Sequence, residues 1–432
     1  MPSSLGPAAR ERVAFHLFWV SAVVLALSYG VLAGMHRWFP VGIFAAAEQG
    51  LDQLHGGGPN AEWYYRPVPP PAPPPIGRPG KAQPGLNLVT EIGADALVVK
   101  VMDLDGGVVQ RWEVDWFELW PDAQHVPERL RPRSRPGTHV NGAALMDDGD
   151  VVFNFEHLGL LRLDRAGRVV WRLPYQTHHA VTRAADGNLW VCGQKERVEP
   201  LAAFPCLVPP FVEDTILLVT PQGRIAREWS VPELLRANGR DGLLCMQGQD
   251  NFAAAATGDV THLNHVEPFP AGMAPGVFGP GDVLVSLRNV HTVFVFDAAT
   301  GEIGFVSTGA FVRQHDPHFV DGDTISVFDN RNLGPAGTAA QSRIALLSAR
   351  TGEVTTYFEG SAAHPFFTPI LGRHQWLPDG HLLITDSCAG GAFELDAARD
   401  VVWWYVNYVS DGVAGVVEQV QRIPNGYGAA HR

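Results

Sequence analysis

The chain has 432 residues, 46% hydrophobic and 10% aromatic, which is enough to bury at least one large core. Its 32 basic residues are outnumbered by 45 acidic ones, for a formal net charge of -13. That balance argues against the basic stripe of a nucleic-acid binder; small anionic substrates stay open, because they need only a local positive site.

Residues 13–35 (VAFHLFWVSAVVLALSYGVLAGM) contain no Asp, Glu, Lys or Arg. The run is long enough to span a bilayer and longer than a typical signal-peptide apolar region. Arg10 and Arg12 precede it, so the positive-inside rule keeps the N-terminus cytoplasmic and exports the rest. Cleavage near Ala33-Gly34 is the alternative. Residues 40–58 can hold a short helix. Residues 65–85 (YRPVPPPAPPPIGRPGKAQPG) are too proline-rich for a helix or central strand and read as an extended tether. The expected organisation is a stub and transmembrane anchor over 1–36, a juxtamembrane segment and Pro-rich linker over 37–85, and an extracytoplasmic (periplasmic) globular domain over 86–432.

Two phrases alternate through that domain. One is a hairpin of apolar alternation around a polar turn, as in LVVKVMDLDGGVVQRWEV from Leu97 and GLLRLDRAGRVVWRL from Gly159. Further copies start at Ile216, Thr292, Arg343 and Gly391. Their spacing of roughly 50 to 75 residues suits the blades of a propeller. The other phrase leads into the inner strand of each unit, as in THVNGAALMDDGDVV from Thr138 and RHQWLPDGHLLIT from Arg373. VEQVQRI from Val417 reads as an inner strand without a following hairpin, and the hairpin at Leu97 lacks one before it. The expected fold is therefore an all-β, six-bladed propeller closed by its C-terminal strand, which removes exposed sheet edges. A sandwich is the alternative. Trp171, Trp403 and Trp404 lie in hairpins and are expected to pack between blades. None of Cys192, Cys206, Cys245 and Cys388 forms a C-x-x-C pair. Disulfides Cys192–Cys206 or Cys206–Cys245 and buried free thiols are equally compatible with the sequence.

Histidines gather ahead of the inner strands. The chain has 17, and chance would put about one in those six windows. They hold His139, His178, His179, His262, His265, His315, His318 and His374. In a ring, such equivalent positions converge at one mouth. His262 opens HLN, with Asn264 on the same strand face. Arg288 follows in VSLRN, and His315 stands in RQHDPH ahead of DGDTISVFDN. A neutral imidazole is a competent nucleophile and proton carrier. A permanently charged guanidinium clamps a tetrahedral oxyanion. Three imidazoles and one guanidinium suit sulfuryl or phosphoryl transfer better than acyl transfer, which calls for a Ser or Cys nucleophile. Three histidines can also hold zinc or copper. Against that, there is no His-x-His or His-Glu-x-x-His pattern, and Arg288 would repel a cation. No metal and no cofactor are expected at this cluster. Asp316 can orient His315 or simply cap a turn. His265 and His318 are at most supporting residues, and His139 and Asn141 are expected to line the channel.

The phrases HLN…LVSLRN, RQHDPHFVDGDTISVFDN and LPDG…LLITDS…FELD resemble the bacterial arylsulfotransferases, which do not use a phosphoadenosine donor. The resemblance spans about residues 86–424; the His-x-Asn…Arg and Gln-His…Phe-Asp-Asn phrases carry most of it. It implies a six-bladed propeller that moves sulfate from an aryl sulfate to a phenol, by a ping-pong route through a sulfohistidine. It implies His315 as nucleophile and His262 and Arg288 as groups on the sulfuryl oxygens. His178 or His179 matches a further family histidine, and His179 lies nearer the strand. His178, Asn264 and His374 are candidates for substrate contact, with channel lining the alternative for His374 and Arg373. The implied partners are small molecules, with no diffusible cofactor. The anchor, the tether and the loop lengths depart from the pattern, so acceptor preference does not transfer. A non-catalytic binding propeller is the alternative reading. A quinone-dependent dehydrogenase is disfavoured, because its repeated tryptophan phrases are missing.

Overall fold

The computed structural model describes residues 7–36, 64–94, 96–246, 255–333, 341–361, 364–423 and 427. The short helix expected over 40–58 lies outside them. The chain forms two compact units, Met1–Glu62 and Trp63–Arg432. The first contains the helix Pro7–His36. Its proline stands at the first helical position, where the missing N–H costs nothing. Within it, Glu11–Gly34 has a mean hydropathy of 2.0 and is long and apolar enough to cross a membrane, as an anchor or as a signal sequence.

The second unit is all-β and propeller-like. Six antiparallel sheets, each built on a four-strand path, account for most of it. One sheet runs from Val140–Leu145 through Val151–Phe155 and Gly159–Leu163 to Val169–Leu173. Its outer turn shows why the chain reverses there. The Asp164 carboxylate accepts the N–H groups of Ala166 and Arg168, and Gly167 takes a φ of +81° that a side chain would resist. Strands near the middle of each sheet are buried on both faces, as in Leu97–Met102, whereas the outer Val108–Val114 alternates. Stacked sheets cover the former and leave the latter half in solvent.

The inner strands touch one another in chain order. Val140–Leu145 contacts Thr177–Arg183, followed by Leu263–Pro268, His315–Phe319, Arg373–Trp376 and Val417–Ile423, which returns to Val140–Leu145. Residues from all six line a central channel. Val417–Ile423 pairs with Leu86–Ile92, so the C-terminal strand takes the inner place ahead of the hairpin at Leu97.

The proline-rich stretch is extended, but within the described residues it is docked rather than free. Ile76–Gly77 pairs with Val401–Val406. Trp404 Nε1–H donates to Pro74 O at 3.1 Å and Tyr408 O–H to Pro73 O at 2.8 Å. Prolines lack the donors that make a sheet edge adhesive, so the segment caps this outer edge. Trp403 is fully buried, and Trp171 donates to Pro221 O. The four cysteines are free thiols.

Five of the six inner strands shift register near the same end, between Val140/Gly142, His178/Val181, Leu263/His265, His315/His318 and Val417/Gln419. Such bulges re-aim side chains. His179, His262 and Asp316 have φ values of +51°, +54° and +48°. Non-glycine residues hold that conformation only where the surroundings over-determine it.

Candidate active site

The bulged ends bring together residues far apart in sequence. The ring centroids of His179 and His262 are 5.0 Å apart, and those of His179 and His315 are 6.1 Å apart. Arg288 is the charged group that acts most strongly on His315. Its backbone N–H donates to His262 O at 3.0 Å, which locks the two segments together.

His315 is held in one tautomer. Its Nδ1 lies 2.7 Å from Asn330 Oδ1 and 3.1 Å from Arg313 O, both acceptors. The Asn330 amide cannot be turned round, because its Nδ2 donates to Thr368 O and Leu371 O at 2.8 Å each. Nδ1 therefore carries the hydrogen, and Nε2 keeps its lone pair. Burial, reinforced by Arg288, pulls the imidazole pKa down to about 3. The ring is thus a neutral base at ordinary pH.

His262 has a carboxylate behind it: Nδ1 pairs with Asp259, which leaves Nε2 for other partners. Burial lowers its pKa and Asp259 opposes the shift. Of the three converging rings, His262 is the best supported to take up a proton, because Asp259 stabilises the imidazolium.

Arg288 forms no ion pair among the described residues. It reaches Asn289 Oδ1 at 3.4 Å, and its buried Nε has no partner. Burial and the neighbouring Arg313 lower its pKa to about 10, so it stays cationic at neutral pH. Arg313 donates to the same Asn289 oxygen and likewise has no carboxylate partner among the described residues. Asn289 is oriented by its own donation to Asp259 O at 2.7 Å. Two guanidiniums on one amide oxygen, neither in an ion pair among the described residues, make a site for an anion.

The other expected residues fall into distinct places. His178 lies behind His179, with their Nδ1 atoms 2.9 Å apart and the Asp214 carboxylate 3.8 Å from Nε2. Burial, then His157, lowers its pKa to about 3. Its contacts buttress His179. Asn264 Nδ2–H donates to Gln314 O at 2.8 Å, holding the backbone just before His315, while its buried Oδ1 is unpartnered. His374 belongs to a different group: its Nε2 contacts Ser326 Oγ at 2.8 Å and its backbone N–H donates to Asp316 Oδ2 at 2.7 Å. Asp316 turns to that group too, and the orienting of the His315 ring falls to Asn330.

Sequence reasoning missed several residues. Arg313 and Asn330 sit in phrases already singled out, RQH and FDN. Glu156 and Asp259 carried no comparable signal. Glu156 accepts the His179 N–H at 3.0 Å and lies 3.2 Å from His179 Nδ1 and from His157 Nε2. Glu156, His178 and His179 are close enough together to ligate a cation.

The sequence profile of the arylsulfotransferase (ASST) family matches residues 142–408, and the chain belongs to that family. Sulfotransferase activity on aryl substrates is supported at that level. No functionally curated protein sequence matches the chain. Among solved structures, the chain is similar to a protein of unknown function from Bacteroides caccae, with 14% identity, 74% of this chain and 93% of that chain covered, and a TM-score of 0.44. It is also similar to virginiamycin B lyase from Staphylococcus aureus, with 10% identity, 79% and 97% covered, and a TM-score of 0.39. A third is the Cps50 (Swd1) beta-propeller domain of Myceliophteria thermophila, with 8% identity, 80% and 100% covered, and a TM-score of 0.41.

Proposed function

We propose that the protein transfers a sulfuryl group from an aryl sulfate to a phenol through a covalent sulfo-His315. The observation that carries this reading is His315 itself: Nδ1–H held by two acceptors and Nε2 without a hydrogen bond among the described residues, beside a guanidinium that forms no ion pair among them.

In the first half-reaction the Nε2 lone pair attacks sulfur, and the S–O bond to the aryl group breaks with its electron pair leaving on the phenolate oxygen. The phenolate takes a proton from His262, whose imidazolium Asp259 supports. His315 becomes an N-sulfoimidazolium, and its Nδ1–H still donates to Asn330 and Arg313. In the second, the acceptor phenol gives its proton to His262, its oxygen attacks sulfur, and the N–S bond breaks back onto Nε2. Arg288 and Arg313 face the sulfuryl oxygens, and His179 closes the third side. Positive groups aimed at charge that grows in the transition state lower the barrier more than they tighten binding. No cofactor enters the balance. The apolar helix is proposed to anchor the chain, with the propeller on the extracytoplasmic side.

The test is release of 4-nitrophenol from 4-nitrophenyl sulfate in the presence of a phenol, with mass spectrometry of the quenched enzyme. Wild type should turn over and, without acceptor, gain one SO3 group on the peptide that contains His315. Turnover without that adduct would sink the covalent route. Absence of turnover across a broad donor panel would favour a binding propeller.

A further inference from the structure

Three residues beyond two of the histidines already described, the same inner strands carry another pair. His265 follows His262, and His318 follows His315. His374, from the inner strand Arg373–Trp376, and Asp316, at the bulge, join them. These side chains line the central channel.

The geometry is that of a ligand set with its outer supports in place. His318 Nε2 lies 3.0 Å from Asp316 Oδ2, and its Nδ1 lies 3.0 Å from Glu267 Oε1. His374 Nε2 is held by Ser326 Oγ at 2.8 Å, and Trp376 Nε1–H donates to the same hydroxyl at 2.9 Å. That leaves His374 Nδ1 3.5 Å from Asp316 Oδ2, buried and without a hydrogen bond. His265 is 2% exposed; its Nδ1 lies 3.4 Å from Asp316 Oδ1, and its Nε2 forms no hydrogen bond. Buried imidazole nitrogens without partners are costly unless something binds them. One atom each from Asp316, His318 and His374 lies within 4.8 Å of the others. Two imidazoles and a carboxylate at that spacing suit a first-row divalent ion with open positions. The Glu267 contact on His318 Nδ1 and the Ser326 contact on His374 Nε2 turn the opposite ring nitrogens toward Asp316, as outer partners of metal-bound histidines do. Arg373 is the opposing charge. It approaches the other carboxylate oxygen, Oδ1, at 3.5 Å and is anchored on Asn141, while Oδ2 accepts the His374 backbone N–H at 2.7 Å and faces His318 Nε2.

We propose that the channel contains a zinc-type divalent-cation site formed by Asp316 Oδ2, His318 Nε2 and His374 Nδ1, with His265 bordering the open position. Entry of the ion displaces the hydrogen shared by His318 and Asp316. It ties two neighbouring inner strands together, His315–Phe319 and Arg373–Trp376, and is separate from the transfer chemistry.

The rival within the same protein is Glu156 with His178 and His179, so the test discriminates the two. The full chain in detergent, stripped with a chelator, is titrated with Zn2+ against a chromophoric competitor. Wild type should bind one equivalent. His318→Gln and His374→Gln should each weaken binding by at least about 100-fold, with the fold checked by circular dichroism in chelator. His179→Asn should keep it. Wild type that binds no Zn2+ below about 10 µM overturns the proposal, as does binding that survives His374→Gln but not His179→Asn. Crystals of the wild type soaked in zinc address the same question without a variant. An anomalous peak about 2.0–2.2 Å from the three named atoms supports the site, and a peak anywhere else overturns it.

Discussion

Two groups of histidines occupy the same inner strands and are built in opposite ways. Around His315, the Nδ1 atoms of His315 and His262 are tied back to the protein, and the local positive charge of Arg288 and Arg313 has no carboxylate partner among the described residues. Around Asp316, carboxylates from Asp316 and Glu267 engage His318, and Arg373 is balanced by Asp316. The first group presents lone pairs and positive charge to an anion. The second pairs its carboxylates with His318 and Arg373, so its charges are matched within the group. A count of imidazoles cannot tell these chemistries apart; the partners on the far side of each ring can.

The contrast is exposed to direct measurement. Replacing His315 by Asn removes the attacking nitrogen while keeping a polar side chain of related size. Nitrophenol release should fall by about four orders of magnitude, in the range seen when an enzyme loses its nucleophile. A variant with near wild-type turnover would move the nucleophile elsewhere. Arg288→Gln should lower kcat by roughly 10²- to 10³-fold, the effect of removing one preorganised charge-stabilising donor. Arg373→Gln, whose charge is already balanced by Asp316, should leave kcat within about threefold; equal losses in the two variants would erase the distinction between the groups. Asn330→Ala removes the principal acceptor for His315 Nδ1–H. The loss of a buried hydrogen bond of about 1–3 kcal/mol should lower kcat roughly 5- to 150-fold and leave KM less affected. A rise in KM alone would assign Asn330 to substrate binding.

The mildest effect is on stability. Unfolded histidines titrate near 6.5, whereas burial, with its charged neighbours, lowers His178 and His315 to about 3 and His374 to about 4. Between those values and 6.5 the unfolded chain binds more protons, so stability falls as pH drops through that window. His139 runs the other way. Burial opposes its protonation, but Glu418 at 2.8 Å raises it to about 9. Its contribution is fully present below about 6.5 and is lost as pH rises toward 9. Thermal melts should therefore show Tm declining on acidification from pH 7 to 4, with a smaller decline above pH 7. The buried Asp214 and Asp386 carboxyls, raised by burial to about 7, act in the opposite sense, so a Tm that rises steadily toward pH 4 would show that their protonation outweighs the cost of charging these rings.

Much of the site is legible in the order of residues alone. Repeated phrases reveal equivalent positions, and a ring brings equivalent positions together, which is how His179, His262 and His315 come to share a mouth. The split of the histidines into two groups is not legible there. His315 and His318 lie three residues apart, and only the bulge between them, with Asp316 at +48°, decides which way each ring faces. His374 occupies the equivalent place in its repeat yet joins the Asp316 group, because its strand pairs without a bulge. The choice between His178 and His179 turns on the same irregularity in Thr177–Arg183.

By itself the sequence determined the apolar N-terminal helix, the period of the hairpins and the residue types that gather at the start of each inner strand. These follow from local rules: helix length, strand alternation and turn chemistry act over a few residues at a time. Only the tertiary structure decided that the proline segment lies along a sheet edge, that Asn330 sets the tautomer of His315, and that Arg288 and Arg313 stand together with no ion pair among the described residues. Each of those depends on which groups arrive from distant parts of the chain, and a site's electrostatics is the sum over such arrivals.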